Sequence, residues 1–234
     1  MRRVTKALCL TMAVFVLLCS IVLPALAAQV SVVPSFQTVS NGEHFTVDIY
    51  VDPEGNATAG AAYVLYFNNT LLSATSLASG TFFSSYSVNT YGEGINNSTG
   101  TIDYGEAIQG SGGVNTNGTL TTITFQAIAD YGTSELRFDN TWTELSDPDG
   151  YPITTNTSDG SVKVGVCGDA TGDGMVTMAD GRRVYMHLIY GTALGCDPWG
   201  ADVTGDGLIT MADGRRIYMH KIYGTPLNCK VCAG

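Results

Sequence analysis

Between residues 29 and 166 the apolar positions recur every second residue. Phe45, Val47, Ile49 and Val51 alternate with Thr46, Asp48 and Tyr50, and Ile123, Phe125 and Ala127 alternate with Thr122, Thr124 and Gln126. Period two sends successive side chains to opposite faces of a strand, so these runs predict strands with one buried and one wet face. Shorter runs of the same kind lie at 62–67, 101–107, 134–138 and 160–166, and Asn41-Gly42, Asn117-Gly118 and Asp149-Gly150 supply turns between them. Many short strands at this spacing predict an antiparallel all-β sandwich.

The pattern changes after residue 166. Residues 169–196 and 202–229 superimpose at an offset of 33 and differ at seven of 28 positions. Each copy opens with a loop and continues as a predicted helix, to about Tyr190 in the first and Tyr223 in the second. Val184 and Ile217, with Ile189 and Ile222, supply an apolar stripe for a small core. Met178, Met186 and Tyr190, and Met211 and Met219 in the second copy, lie beyond that stripe and predict an adaptable docking surface, with core packing at helical spacing as the alternative.

The loops carry the candidate chemistry. Asp169, Thr171, Asp173, Thr177 and Asp180 fall at positions 1, 3, 5, 9 and 12, with Gly174 at 6; Asp202, Thr204, Asp206, Thr210 and Asp213 repeat this, with Gly207 at 6. An EF-hand-type loop takes oxygen ligands at those positions and a backbone carbonyl at 7, here Met175 and Leu208. Glycine at 6 permits the sharp bend that wraps oxygens round a large hard cation. The ion expected is calcium, one per loop, since magnesium demands a tighter octahedron and keeps more water. Position 3 is a neutral threonine and position 12 an aspartate one methylene shorter than the usual glutamate, so each loop offers three carboxylates. His187 and His220 fall outside the loops and are not expected to be ligands.

Charge and cysteine sharpen the division. Residues 28–166 hold 14 carboxylates against two cations (Arg137, Lys163), a net −12, whereas residues 167–234 hold seven against six, a net −1. So acidic a chain is a poor partner for nucleic acid, whose phosphates call for Lys and Arg. Residues 1–27 read as a secretory signal peptide: Arg2, Arg3 and Lys6 precede an apolar run from Ala7 to Leu23, and Ala25-Leu26-Ala27 forms a small-x-small cleavage site. A retained membrane anchor is the alternative, although the run is short for a bilayer span. The organisation expected is therefore 1–27 signal, 28–166 sandwich and 167–234 loop-helix module, in a secreted or cell-surface protein.

Export favours oxidised thiols, and Cys167, Cys196, Cys229 and Cys232 allow three pairings. If the helices run antiparallel, Cys167 with Cys229 or Cys232 staples the ends of the module; a four-thiolate zinc site is the alternative. Asn56, Asn68, Asn96, Asn97, Asn117 and Asn156 each begin an N-x-S/T sequon and are candidates for glycosylation. No catalytic constellation is visible. Asp147 with Asp149, and Glu93 with Asp103, have the composition of a glycosidase pair, but at this carboxylate density such pairs arise by chance.

The doubled loop-helix motif resembles a dockerin, a family that pairs two F-hand loops with aspartate at position 12. The resemblance implies a small calcium-dependent helical module that plugs into a cohesin. By position, its partner-facing residues would be Met178, Ala179, Arg182, Met186 and Tyr190, then Met211, Ala212, Arg215, Met219 and Tyr223. The polar pair common at the loop end in that family is Met-Ala here. The first segment, with VSVVPSFQTVSNGEHFTVDIYV, AAYVLYFNNTLLSAT, TIDYGEAI, GTLTTITFQAI and DGSVKV in order, resembles a cohesin, which implies a nine-stranded jelly-roll sandwich whose flat face receives dockerin helices. Gly60 and Ala62 stand where the family has a polar pair.

These resemblances imply a secreted, non-catalytic adaptor. Its tail would dock onto another chain's cohesin, and its sandwich would receive a dockerin from another chain or from a second copy of this one. Cellulosome-like systems use such modules to gather polysaccharide-degrading enzymes. The alternative expectation is a carbohydrate-binding or surface-layer module displayed through the dockerin; a glycosidase is a weaker third.

Overall fold

A computed structural model describes residues 26–196 and 198–229, so residues 1–25 of the expected signal and Cys232 lie outside the described residues. The strands are β1 (Ala28–Val33), β2 (Phe36–Val39), β3 (His44–Asp52), β4 (Gly60–Tyr66), β5 (Leu72–Ser79), β6 (Val88–Asn96), β7 (Thr101–Ile108), β8 (Gly118–Ala127), β9 (Gly132–Phe138), β10 (Glu144–Ser146), β11 (Pro152–Ile153), β12 (Thr155–Ser158) and β13 (Gly160–Val164). They form two facing sheets. The smaller has the order β12-β1-β3-β8-β5; the larger runs β11-β10-β4-β9-β13-β2, with β7 also on β4 and β6 on β7.

The period-two runs become the central strands for the reason expected. Val47, Ile49 and Val51 of β3, Ile123 and Phe125 of β8, Tyr63 and Leu65 of β4, and Leu136 and Phe138 of β9 are buried between the sheets. Phe125 stacks on Phe45 at 5.6 Å and meets Phe67 edge-on at 5.3 Å, so removing its ring would cost about 3–5 kcal/mol.

The nine strands implied by the cohesin resemblance are thirteen segments here. The N-terminal run is split at Pro34, which lacks an N–H for the ladder, and the chain crosses there from the smaller sheet (β1) to the larger (β2). β13 ends at Val164 rather than Val166: the Gly165 N–H makes the last parallel bond to β2, to Val39 O at 2.9 Å, and Gly165 then turns the chain away at a φ of +149°.

One polar cluster crosses the sandwich. The Tyr104 hydroxyl donates to the buried Glu106 carboxylate at 2.6 Å, and Ser79 of the opposite sheet bonds both residues. Thr121 joins Tyr63 at 3.0 Å beside it.

The tail contains α1 (Met178–Tyr190), α2 (Pro198–Ala201) and α3 (Met211–Tyr223). Its core is small: Ala170, Val184, Ala201, Val203 and Ile217, flanked by Val176, Leu194, Ile209 and Leu227. A disulfide joins Cys167 to Cys229, which selects one of the pairings expected and takes two of the four thiolates a zinc site would need. Ile189 and Ile222 correct the expected core stripe, being 58% and 57% exposed. The reason is the crossing point. α1 and α3 meet at Gly181 and Gly214, near their starts, so their last turns project beyond the contact. Tyr185 and Tyr218 stack at 5.8 Å beside those glycines.

Candidate functional site

Two surfaces carry the candidate chemistry, and the first is the outer face of the larger sheet. Strand register places Glu144, Ala62, Gly105 and Tyr91 in one row across β10, β4, β7 and β6. The row above holds Ser146, Gly60, Ala107 and Asn89, and the row below holds Val64 and Asp103. The centre is thus a strip of glycine and alanine. It is close-packed: a Cβ on Gly60 would lie 2.5 Å from Ser146 Oγ, and one on Gly105 3.1 Å from Ala62 Cβ. A shallow trough results, walled by the exposed Tyr91 and rimmed by Glu93, Asp103, Glu135 and Glu144. Arg137 is the exposed cation beside this strip and lies over the Tyr66 ring at 5.3 Å; Lys163, further along the same face, is covered by Trp199. The Thr141 N–H first, then the Tyr66 hydroxyl, which donates at 3.0 Å, and the Trp142 N–H hold the Asp139 carboxyl below the usual carboxylate range. Asp147, of the chance glycosidase pairs, spends its carboxylate on the Asp149 and Tyr151 N–H groups of a turn.

The second surface is built by the two loops and the helices they start. Thr177 is both position 9 of its loop and the N-cap of α1, and Asp180 is both position 12 and the third helical residue; together they close a capping box. Thr210 and Asp213 do the same for α3. Each helix then stops at a left-handed glycine, Gly191 or Gly224.

Within the first loop, Asp169 accepts from the Gly172, Asp173 and Gly174 N–H groups, while Asp180 accepts from those of Thr171 and Thr177. Asp173 folds back onto the Met175 N–H at 3.0 Å. Among the described residues no three His, Cys, Asp or Glu side chains gather as an ion-holding group. Each loop does bring two carboxylates to one hydroxyl. Thr171 Oγ1 lies 2.8 Å from Asp180 Oδ1 and 3.2 Å from Asp169 Oδ1; Thr204 Oγ1 lies 2.9 Å from Asp213 Oδ1 and 3.3 Å from Asp202 Oδ1. All four aspartates are buried. A hydroxyl has one proton to give, so one of its two carboxylate contacts in each loop is oxygen against oxygen.

The helix face expected to meet a partner is open. Met178, Ala179, Arg182 and Tyr190, and Met211, Ala212, Arg215 and Tyr223, are exposed, with Met186 and Met219 half-buried. A groove of about 540 Å³ runs along α3, lined by Thr204, Met211, Ala212, Arg215, Met219 and Thr225. Arg183 and Arg216 bond the carbonyls of Ala193 and Pro226, leaving Arg182 and Arg215 as the outward cations of the helix starts. His187 and His220 each meet a carbonyl just past the helix end, Thr192 O and Thr225 O, away from the loop oxygens.

The family model of the cohesin domain matches residues 30–164, more than half of the chain. The chain belongs to the cohesin family. Among solved structures, a type I cohesin–dockerin complex from Clostridium thermocellum is similar at 14% identity and a TM-score of 0.50, covering 59% of this chain and 94% of that one. A non-cellulosomal cohesin from the archaeon Archaeoglobus fulgidus is 18% identical with a TM-score of 0.48, covering 59% and 91%. A type II cohesin domain from the cellulosome of Acetivibrio cellulolyticus is 16% identical with a TM-score of 0.49, covering 58% and 95%. At such identities the likeness is one of fold. No curated protein matches the chain.

Cohesin domains are non-catalytic protein-interaction modules, so the carboxylate-rich sandwich is a binding domain and not an enzyme. Among the described residues no helix is long and apolar enough to cross a membrane. In this cohesin the sequons are not equivalent. The Asn97 amide is spent on Ala74 N and O at 2.9 Å, bracing a bulge in β5, and Asn56 donates to the carbonyls of Pro53 and Leu26. Asn68 and Asn96 accept N–H groups in tight turns, and Asn117 and Asn156 are exposed.

Pattern reading missed three things. Gly181 and Gly214 carry no signal beyond an unexpected glycine near each helix start. Tyr104 and Glu106 sit together on the inner side of β7, where a charge is not expected. Trp199 packs against Gly165, and the Lys163 ammonium lies 5.5 Å from its ring centroid, joining the tail to the end of the sandwich.

Proposed function

We propose that the chain is a secreted, non-catalytic adaptor: its cohesin domain receives a dockerin on the glycine-alanine trough, and its tail is itself a dockerin that docks through the starts of α1 and α3. The observation that carries this reading is the cohesin-domain match over residues 30–164 in one chain with a duplicated calcium-type loop and helix. The trough suits helices with protruding methionines, because a face without long side chains lets a helix approach closely. The acidic rim suits Arg182 and Arg215, which would set association rate and orientation more than affinity.

The loop residues fit calcium. Their oxygens are hard donors, and the paired carboxylates meeting at Thr171, and again at Thr204, call for a positive charge between them. Bound there, calcium would supply that charge and contribute directly to folding a module with so small a core. Asp169 and Asp180 hold the loop closed through backbone N–H groups, and the exposed Asp173 and Asp206 would exchange their bonds to the Met175 and Leu208 N–H groups for the ion. The protein would work outside the cell, in assemblies that break down polysaccharide, with Asn117 and Asn156 as the sequons open to glycan.

The test of the socket is direct binding. Purified dockerins of cohesin–dockerin systems, flowed over the immobilised full chain in calcium, should include at least one that binds, and Ala62→Arg should weaken that binding at least tenfold. A panel in which none binds, or binding indifferent to Ala62→Arg, contradicts this reading of the face.

A further inference from the structure

We propose that the partner of the tail is the sandwich of a second copy of this chain, so that the protein assembles head to tail. The inference rests on the adaptor reading above and names its partner. Three observations on different parts of the molecule lead to it.

The first is charge. The sandwich carries −12 and the tail −1, and two divalent ions in the loops would carry the tail to +3. The cations nearest the docking face, Arg182 and Arg215, project from helices whose own carboxylates are turned into the loops. The rim of the trough offers Glu93, Asp103, Glu135 and Glu144, so the two halves of one chain attract each other's counterpart.

The second is shape. Gly60, Ala62, Gly105 and Ala107 adjoin on the sheet face and carry little or no side chain, whereas the helix face exposes Met178 and Met211 and, at 72% each, Tyr190 and Tyr223. Bulk on one surface faces absence of bulk on the other.

The third is that a chain does not satisfy itself. Lys163, Gly165 and Trp199 pack the tail onto the end of the sandwich, the Gly168 N–H bonds Gly200 O at 2.8 Å, and Cys167–Cys229 closes the module directly after that joint. In this position the helix face stays exposed, uncovered by its own sheet. A plug and a socket on one chain make a heterologous contact, which grows into rings or open filaments.

Sedimentation velocity of the full chain in calcium, over rising protein concentration, tests the proposal with two blocked variants. Ala62→Arg blocks the socket, with Glu144→Arg as a second socket variant should the first fold poorly. Met178→Glu with Met211→Glu blocks the plug on both helices. The wild type is expected to grow past the dimer in mass, to disperse with chelator and to weaken with salt. Each variant alone should stay monomeric, while the two mixed should form a species of about twice the monomer mass and nothing larger, having one working plug and one working socket between them. A wild type that takes up calcium by calorimetry yet stays monomeric overturns self-assembly and leaves the adaptor reading standing. No calcium uptake removes both. Assembly by the wild type without rescue in the mixture also overturns the proposal, because the contact would then lie elsewhere.

Discussion

Tyr104 shows how much a single buried hydroxyl can set. Burial, and then its hydrogen bond to the Glu106 carboxylate, push its phenol up to about 12 from the ordinary 10. The folded state therefore favours the protonated ring, and that contribution is complete below pH 10 and lost as pH climbs through 12. Melting temperature should fall across that interval, and Tyr104→Phe should flatten the fall; an unchanged slope in the variant would contradict this role. Burial raises Tyr63 as well, so part of the dependence should survive. At this scale the sequence was legible where chemistry comes as a spaced set. The loop aspartates and threonines are such a set by spacing; the structure brings Asp169, Thr171 and Asp180 within hydrogen-bond reach of one another, while Asp173 turns to the Met175 N–H. Glu106 was not legible, because one inward carboxylate on an alternating strand looks like any solvated one until the opposite sheet supplies Ser79. Nor was Asn97, whose sequon hides a side chain that braces a bulge.

Among the elements, strands that bury one face were readable and edge strands were not. β3, β4, β8 and β9 alternate clearly, whereas β6 (VNTYGEGIN) is exposed along much of its length and β5 (LSATSLAS) is built of small and polar residues. No period marks a strand that has little to bury. The helices were legible in their C-terminal ends, expected at about Tyr190 and Tyr223, but not in their packing. Their contact depends on two glycines in helical conformation, where a methyl group on Gly181 would stand 2.8 Å from the Tyr218 ring and 3.0 Å from Gly214 O. Gly181→Ala should therefore destabilise the tail by about 1–3 kcal/mol by overpacking, although alanine is the better helix former by ~1 kcal/mol. Chemical denaturation of the full chain would read this as an earlier loss of the tail's transition with the sandwich unmoved; a stabilised tail would mean that the helices do not cross there.

For the whole molecule, the division into an acidic β domain and a near-neutral helical tail was already visible in charge and repeat. The joint between them was not. It is made by Trp199, which lies in the short insert between the two repeats and looks from sequence like an isolated surface aromatic. Through that joint the tail is presented as a fixed extension of the sandwich, with its helix face open on one side and the trough on the larger sheet of the same chain.

Everything the tail is proposed to do depends on the two loops taking up calcium and so shaping it for docking. Titration calorimetry of calcium into the chelator-treated full chain tests it most directly. Two equivalents should bind per chain, with Asp173→Ala and Asp206→Ala together removing most of the heat and leaving the sandwich's melting transition in place. A flat titration of the wild-type chain would contradict the claim.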